Sequence, residues 1–324
     1  MAALPRGTDK GMIKVDHLVK RYGSNYALDD VSFTVRRGEI LGFLGPNGAG
    51  KSTTMNIITG YLSSTDGTVT IDGVDVLDDP IEAKKKIGFL PEQPPLYLDM
   101  TVKDYLDFIC DLKHIKGDRK KHVNDICKVV KIDNVYNRII KNLSKGYRQR
   151  VGIAQAMIGN PEVLILDEPT VGLDPHQIIE IRNLIKDLGK NHTVILSSHI
   201  LPEVQAVCDR VIVINKGKLV ADDTPDRLSK QLSSDHRLVL RIDGPENDTY
   251  NILSKIGGVV KVEKLGEKEP GTRDFIVEAE TGIDIRRAIF SRLADRGYPI
   301  LSMRSSEMTL EDIFLQLTYE EAKR

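Results

Sequence analysis

The sequence of 324 residues has few cysteines and no long apolar run. Its three cysteines, Cys110, Cys127 and Cys208, are far apart and odd in number, which excludes a disulfide framework and a cysteine-based metal site. The longest apolar stretches, such as residues 211–214, have the length of a strand, whereas a membrane-spanning helix needs ~20 apolar residues. If the protein works at a membrane, another subunit must therefore supply the membrane part.

An excess of charge of one sign is also absent. The 46 basic and 47 acidic residues give a net charge of −1, so nothing favours nucleic acid or an anionic membrane surface, and we expect no nucleic-acid partner. Residues 1–11 are mostly polar and are not predicted to be a signal peptide, because they have no apolar core. The apolar fraction of 40% and the charged fraction of 29% are those of an ordinary globular protein with room for two domains.

The chain does contain a glycine-rich segment between an apolar run, residues 40–44, and a helical pattern, residues 53–58. The order of strand, glycine-rich loop and helix matches the P-loop template, in which backbone N–H groups and the positive end of the helix bind phosphate. The segment and its first following residue are Gly45, Pro46, Asn47, Gly48, Ala49, Gly50, Lys51, Ser52 and Thr53. We expect Lys51 to reach the terminal phosphates of a nucleoside triphosphate and the Ser52 hydroxyl to bind magnesium. The alternative, a glycine-rich turn with an incidental Lys-Ser pair, is disfavoured by the flanking strand and helix.

An apolar strand pattern at residues 163–166 ends in two acids, Asp167 and Glu168. A buried strand that brings a carboxylate to its C-terminal end, in a P-loop protein, suits a magnesium ion, so we expect Asp167 to hold the metal. Glu168 would then lie beside the γ-phosphate and polarise the attacking water. Alone, the pair could equally cap a helix; the P-loop favours the catalytic interpretation.

Residues 12 to about 230 resemble the ATP-binding subunits of ABC transporters. Residues 143–147 are similar to the family's signature segment, and residues 172–174 are similar to the loop that crosses its dimer interface. His199 matches the switch histidine, and Tyr22 stands where the family places an aromatic residue that stacks on adenine. The resemblance implies catalytic roles for Glu168 and His199, and nucleotide contacts for Tyr22 and the P-loop.

Two segments depart from the family pattern. After residues 87–91, where the family places a glutamine that touches magnesium, the chain has Glu92 followed by Gln93. We favour Glu92 as a magnesium ligand, because a carboxylate can also face the metal, and a one-residue shift to Gln93 is the alternative.

The second departure lies in the signature segment. Lys145 replaces a glycine and Tyr147 replaces a glutamine, whereas Ser144 and Gly146 remain. Ser144 can cap the following helix and offer a hydroxyl to a phosphate. The resemblance therefore implies that Ser144 and Gly146 bind nucleotide.

Simpler interpretations accompany several of these residues. Tyr22 could be a turn residue beside Gly23, and Ser144 could be a helix cap only. A lone histidine is usually structural, but the position of His199 after a strand, where ligands bind in such sheets, favours a functional role. His114 and His122 lie in a helical segment and are predicted to be solvated.

Residues 236–324, and residues 309–315 above all, resemble the small appended domain of exporter-type ABC ATPases, the branch that includes drug-resistance, gliding-motility and sodium-export components. The two resemblances together imply an ATPase subunit that powers export through a separate integral-membrane permease. Two such subunits, in a homodimer or a heterodimer, would sandwich two ATP molecules with Mg²⁺, and each site would take Ser144 and Gly146 from the other chain. The protein would then be cytoplasmic and peripheral at the inner face of the membrane. The alternative function, a soluble ABC-type ATPase acting on ribosomes or nucleic acid, is disfavoured by the single cassette and the absence of sustained heptads.

The sequence predicts two domains. Residues 12–232 form an α/β ABC cassette of the P-loop NTPase class, with a mixed sheet, an antiparallel β subdomain and a helical insertion at about 96–150. Short strands at residues 13–15 and 18–22 belong to that subdomain. Residues 236–324 form a small α+β accessory domain in ferredoxin-like β-α-β-β-α-β order, for dimer support or regulation. A last helix at about 309–321 carries an apolar face of Leu310, Ile313, Phe314 and Leu317.

Overall fold

The structure, a computed structural model, describes residues 11–232, 236–280 and 282–305. It contains two compact units that divide between Pro225 and Asp226. The last helix predicted at 309–321 lies outside the described residues. The domain limits 12–232 and 236–324 stay a prediction.

The first unit contains both strands and helices. The strands are β1 (Ile13–Tyr22), β2 (Asn25–Val35), β3 (Ile40–Leu44), β4 (Asp66–Ile71), β5 (Val74–Asp75), β6 (Ile87–Leu90), β7 (Val163–Asp167), β8 (Thr193–Ser198), β9 (Arg210–Asn215) and β10 (Lys218–Asp223). The helices are α1 (Lys51–Ile58), α2 (Pro80–Lys85), α3 (Val102–Leu112), α4 (Arg119–Val129), α5 (Lys145–Met157), α6 (Pro175–Leu188) and α7 (Leu201–Val207). Helix α8 (Pro225–Leu232) follows β10 at the division between the units.

A six-stranded sheet of order β10-β9-β3-β8-β7-β6 forms the centre of the first unit. Its strands are parallel except for β10, which runs antiparallel to β9. All five residues of β3 and of β7 are buried, as expected for strands covered on both faces. In the register, Leu44 pairs with Ser198 and Asp167 pairs with Ser197. The C-terminal ends of β3, β7 and β8 therefore meet at one edge.

An antiparallel sheet of order β2-β1-β4-β5 lies beside it in the same unit. The two short strands predicted at residues 13–15 and 18–22 are one continuous strand, β1, and the predicted break is wrong. The pairing register shifts between Val15 and Leu18, and His17 has a φ of 49°. This irregularity lets both Val15 and Leu18 face the core, which interrupts the alternation in the sequence.

Three helices, α3, α4 and α5, form the predicted helical insertion and the signature helix after it. Helix α3 buries its apolar residues Val102, Leu106 and Ile109. The Thr101 side chain caps the first turn of α3 by accepting a hydrogen bond from Asp104 N. Helix α5 packs against β6, so the insertion is joined to the central sheet next to the segment that carries Glu92.

The second unit is a four-stranded antiparallel sheet of order β12-β13-β11-β14. Its elements are β11 (His236–Ile242), α9 (Glu246–Leu253), β12 (Val259–Gly266), β13 (Arg273–Ala279), α10 (Arg286–Ala294) and β14 (Ile300–Ser305). The core between the helices and the sheet contains Leu240, Phe275, Val277, Ile289 and Leu293. The order β-α-β-β-α-β agrees with the sequence prediction.

Candidate nucleotide site

The glycine-rich loop connects β3 to α1 along a path that requires glycine. Gly48 and Gly50 have φ values of 81° and 111°, and a Cβ at position 50 would lie 2.8 Å from the Ala27 carbonyl oxygen. Helix α1 begins at Lys51 without a side-chain cap, so the backbone N–H groups of its first turn remain available for a ligand. The loop therefore has the form of an anion-binding cradle.

Lys51 is buried at the base of this loop, with 6% of its side chain exposed. Its Nζ donates to the carbonyl oxygens of Gly45, at 2.8 Å, and Pro46, at 3.3 Å. The same atom lies 3.3 Å from Glu168 Oε1, which makes no hydrogen bond of its own. The Lys51 ammonium therefore links the loop to the acid at the end of β7.

Glu168 joins Lys51 to His199. Its Oε2 lies 2.9 Å from His199 Nδ1, and 6% of the Glu168 side chain is exposed against 40% of the His199 side chain. The Glu168 backbone has a φ of 49°, and its N–H donates to Ser197 Oγ over 2.9 Å. A left-handed conformation at a non-glycine residue costs about 1–2 kcal/mol, and such strain is concentrated at functional sites.

The three residues predicted to bind magnesium, Ser52, Glu92 and Asp167, line one groove of ≈760 Å³. Ser197 Oγ donates to Asp167 Oδ1, which holds that carboxylate in place. Hydroxyl and carboxylate oxygens are the donors that Mg²⁺ prefers, so these residues fit that ion. Within the described ranges no cluster of three or more His, Cys, Asp or Glu side chains could hold a metal by itself.

A second cavity, of ≈380 Å³, lies over the glycine-rich loop. Its lining residues are Ala27, Asn47, Gly48, Gly50, Lys51, Ser52, Thr53, Glu92, Glu168, Val171 and His199. Glu92 contributes to both the cavity and the groove, whereas Gln93 lines only the groove. The cavity thus collects most of the predicted P-loop contacts together with both predicted catalytic residues.

Tyr22 is not among the residues that line this cavity. Its side chain lies at the end of β1 and is 55% exposed, with Lys20 Nζ 5.2 Å from the ring centroid. Its stacking on adenine stays a prediction.

The signature segment forms a separate cavity of ≈370 Å³ in the same unit, lined by residues that include Ser144, Gly146 and Gln177. Ser144 caps α5, since its Oγ accepts from Tyr147 N at 3.4 Å. A Cβ at Gly146 would lie 2.5 Å from Gln177 Oε1 on α6, so the Gln177 side chain packs directly against this glycine. The structure therefore does not bring Ser144 and Gly146 to the P-loop of the same chain.

Lys145 and Tyr147, which depart from the family pattern, both make contacts within this chain. A Cβ at Gly172 would lie 2.0 Å from Lys145 Nζ, so the lysine lies directly against the predicted interface loop. The Tyr147 hydroxyl accepts a 2.9 Å hydrogen bond from Asn134 Nδ2.

Sequence reasoning missed the side chains that support the acids. Ser197 binds both Asp167 and Glu168, and Ser198 and Thr170 donate to the buried Glu203 carboxylate. The signal available was the Ser197-Ser198 pair at the end of β8, immediately before His199.

The prediction that His122 is solvated is wrong. The side chain is half-buried, and its Nε2 accepts a 3.1 Å hydrogen bond from Gly159 N. Burial lowers its pKa from the ordinary value of 6.5. The contact joins α4 to the turn after α5, 37 residues away, so local pattern could not reveal it.

The fold and the cavity define a P-loop nucleotide-binding protein. Residues 28–171 match the family model described as ABC transporter. The chain is 33% identical over 317 residues to the bacitracin transport ATP-binding protein BcrA of Bacillus licheniformis, covering 94% of this chain and 97% of that protein. It is 33% identical over 319 residues to the linearmycin resistance ATP-binding protein LnrL of Bacillus subtilis, covering 95% of this chain and 98% of that protein. The chain belongs to the family of ABC transporter ATP-binding proteins.

A solved structure of an ATP-binding cassette, in a dimeric post-hydrolysis state bound to ADP and Pi, superposes with a TM-score of 0.60 at 29% identity, covering 66% of this chain and 98% of that one. The predicted family, fold class and function are thereby confirmed: the protein is an ATP-binding, ATP-hydrolysing subunit of an ABC transporter. Members of this family act as dimers with a membrane permease, and an ATPase of ribosomes or nucleic acid is not favoured. Throughout the described ranges, every helix is too short or too polar to cross a bilayer.

Proposed function

We propose that this subunit powers export through a separate membrane permease, with Glu168 as the group that polarises the attacking water. One observation carries the catalytic assignment: Glu168 lies between Lys51 and His199, within 3.3 Å and 2.9 Å of their nitrogen atoms, at the edge of the nucleotide cavity. A buried carboxylate beside a phosphate cradle is placed to orient a water for phosphoryl transfer.

The contacts of Lys51 suggest how ATP prepares this site. Phosphate oxygens in the loop would compete with Gly45 O, Pro46 O and Glu168 Oε1 for the ammonium group. Transfer of Lys51 to the phosphates would leave Glu168 Oε1 free to accept a hydrogen bond from water, while His199 keeps Oε2 in place. Nucleotide binding itself would thus release the carboxylate for catalysis.

Ser52, Asp167 and Glu92 would hold Mg²⁺ at the neighbouring groove. When bound there, the ion would neutralise charge on the phosphate oxygens. Ser197 would fix the Asp167 carboxylate toward the ion through its hydrogen bond.

Dimerisation would complete each site. Ser144 and Gly146 line a different cavity from the P-loop of their own chain, and they stand at the N-terminal end of α5, where the potential favours an anion. A head-to-tail dimer, with a second copy or with a related subunit, would place these residues against the γ-phosphate held by the partner.

Tyr22 would stack on the adenine of its own site.

The groove of ≈760 Å³ suits a segment of the permease. Its wall includes Tyr61, Phe89 and Pro95, and Glu92 lies on both the groove and the nucleotide cavity. A permease segment bound there would sense the nucleotide through Glu92. Export is supported by two relatives whose names state bacitracin transport and linearmycin resistance. The subunit would then lie at the cytoplasmic face of the membrane.

Replacement of Glu168 by Gln tests the catalytic assignment. We expect steady-state ATPase activity to fall by about 10² or more, because a carboxamide cannot polarise water, while ATP affinity is retained. Hydrolysis is measured as phosphate release and affinity by titration with ATP and Mg²⁺. The control is Glu82→Gln, at a residue on α2 whose side chain is 47% exposed and pairs with Lys85. Normal turnover in the Glu168 variant would overturn the assignment.

A further inference from the structure

Glu203 is a buried carboxylate behind the nucleotide site. It lies in the first turn of α7 and is 3% exposed. Its Oε2 accepts hydrogen bonds from the hydroxyl groups of Thr170 and Ser198, the second over 3.2 Å. Both hydroxyl groups are buried as well.

The two donors belong to the two segments that carry the proposed catalytic pair. Thr170 follows Glu168 by two residues, and Ser198 directly precedes His199. Ser198 Oγ also accepts from Ile200 N over 3.0 Å, which fixes the backbone on the other side of His199. One carboxylate oxygen therefore joins the two chain segments whose side chains meet at 2.9 Å in the site.

Burial of the Glu203 carboxylate has an unfavourable free energy. The second oxygen, Oε1, makes no hydrogen bond, and Arg182 Nη2 on α6 lies 3.9 Å from it, with Arg182 Nε also lacking a hydrogen-bond partner. An incompletely paired buried charge is costly, and apolar residues of similar volume are often at least as stabilising. Stability alone therefore gives a weak reason for a glutamate at this position.

We propose that Glu203 is a positioning residue for hydrolysis, which holds the Glu168 and His199 segments in register through Thr170 and Ser198. This inference rests on the roles proposed for Glu168 and His199. The hydrogen bonds from Thr170 and Ser198 to Glu203 form a bridge between the two segments. Because misplacement of a catalytic group by about 1 Å can cost 10²-fold in rate, loss of this bridge lowers kcat. The phosphate cradle lies on β3 and α1 and does not depend on the bridge, so ATP binding is spared.

The test compares Glu203→Ala with Glu203→Gln and with Val204→Ala in the full chain. Val204 is the neighbouring buried residue on α7 and packs against β3 at Gly42, so its truncation disturbs the helix without removing the bridge. We expect Glu203→Ala to lower kcat by about tenfold or more with KM for ATP nearly unchanged. Glu203→Gln, whose amide oxygen can still accept both hydroxyl groups, restores most of kcat, and Val204→Ala retains it.

A double-mutant cycle with His199→Ala separates positioning from general destabilisation. If Glu203 acts through the His199 segment, Glu203→Ala lowers kcat by a much smaller factor in the His199→Ala background than in the wild type. Full additivity, or equal losses of kcat in Glu203→Ala and Val204→Ala, overturns the proposal. If Glu203→Ala does not fold, Thr170→Val replaces it, and an unchanged kcat in that variant is likewise a refutation. Turnover in Glu168→Gln, measured in parallel, shows separately whether the underlying catalytic assignment has failed.

Discussion

At the residue scale, Glu168 combines a strained backbone with a buried side chain. Its left-handed φ of 49° turns the chain sharply after β7, and Ser197 holds the turn by accepting the Glu168 N–H. The carboxylate that results lies between Lys51 and His199 instead of facing solvent. The sequence motif predicts which acid is present, whereas the backbone turn determines where its oxygens point.

Lys51→Ala tests the phosphate cradle. Loss of the buried ammonium group removes a charge-assisted contact worth about 1.5–3 kcal/mol, so we expect ATP affinity to fall by at least about tenfold. Titration calorimetry with ATP and Mg²⁺ measures the effect. Lys141→Ala is the matched control, since Lys141 is exposed and pairs with Asp99. Undiminished affinity in the Lys51 variant would contradict the assignment of the cavity.

The burial of His192 predicts that the stability of the protein depends on pH. It is 4% exposed, its Nδ1 lies 2.8 Å from Pro161 O, and burial lowers its pKa from the ordinary value of 6.5. Below pH 6.5 the unfolded chain therefore binds more protons than the folded one, and the free energy of unfolding falls as the pH drops from about 7 to about 5. One histidine contributes at most about 1.4 kcal/mol per pH unit.

His192→Asn, whose amide can still donate to Pro161 O, removes this contribution. Urea denaturation at several pH values is expected to give a smaller slope between pH 5 and pH 7 than in the wild type. The part of the slope that is due to His122, whose pKa is also lowered, remains in this variant. An identical slope in both proteins would show that His192 is protonated equally easily in the folded and unfolded chains.

At the element scale, the connection from β3 to α1 is the most constrained segment. Its glycines are needed for two different reasons: Gly48 has a positive φ with open space around it, whereas Gly50 combines a φ of 111° with close contact to Ala27 O. An insertion in this loop, or a side chain at either glycine position, would displace the first turn of α1. The helix N-terminus can bind phosphate only while the loop keeps this path.

Gly50→Ala tests that constraint. We expect a loss of more than about 2 kcal/mol in the free energy of unfolding together with loss of ATP binding, because the added Cβ meets a backbone oxygen that cannot move easily. The control is Gly38→Ala, at a turn with a φ of 74° and no atom within 4 Å of the added Cβ, for which about 1 kcal/mol is expected. Equal losses in the two variants, measured by urea denaturation, would argue against close packing at Gly50.

At the scale of the whole molecule, the proposed function depends on a surface that one chain leaves incomplete. The signature cavity with Ser144 and the P-loop cavity with Lys51 are separate in the same unit. In the proposed dimer each cavity is completed by the other chain, so ATP acts as the contact that favours association, and hydrolysis removes it.

Ser144→Asp distinguishes the capping role of this residue from its role at the interface. Aspartate caps helices as well as serine does, so the free energy of unfolding should change by less than about 0.5 kcal/mol. Its charge would repel the partner's γ-phosphate, so ATP-dependent dimerisation of the Glu168→Gln protein should be lost. Size-exclusion chromatography with ATP measures the dimer. A dimer that forms normally in the double variant would exclude Ser144 from the interface.

The sequence by itself determined the class of the protein and most of its elements. The P-loop, the acid pair and His199 each lie in a contiguous motif, and the second unit follows the predicted β-α-β-β-α-β order, because local spacing and periodicity encode these features directly. The continuity of β1 was missed, since the shift at His17 interrupts the alternation on which a strand prediction depends.

Only the tertiary structure decided how these motifs act on one another. The register of β3, β7 and β8 places Lys51, Glu168 and His199 at one edge, although 31 residues separate the last two. The buried supports Ser197 and Glu203 carry no motif of their own. Their partners are adjacent in space and distant in sequence, and contacts of that kind depend on the packing of the complete sheet and its helices.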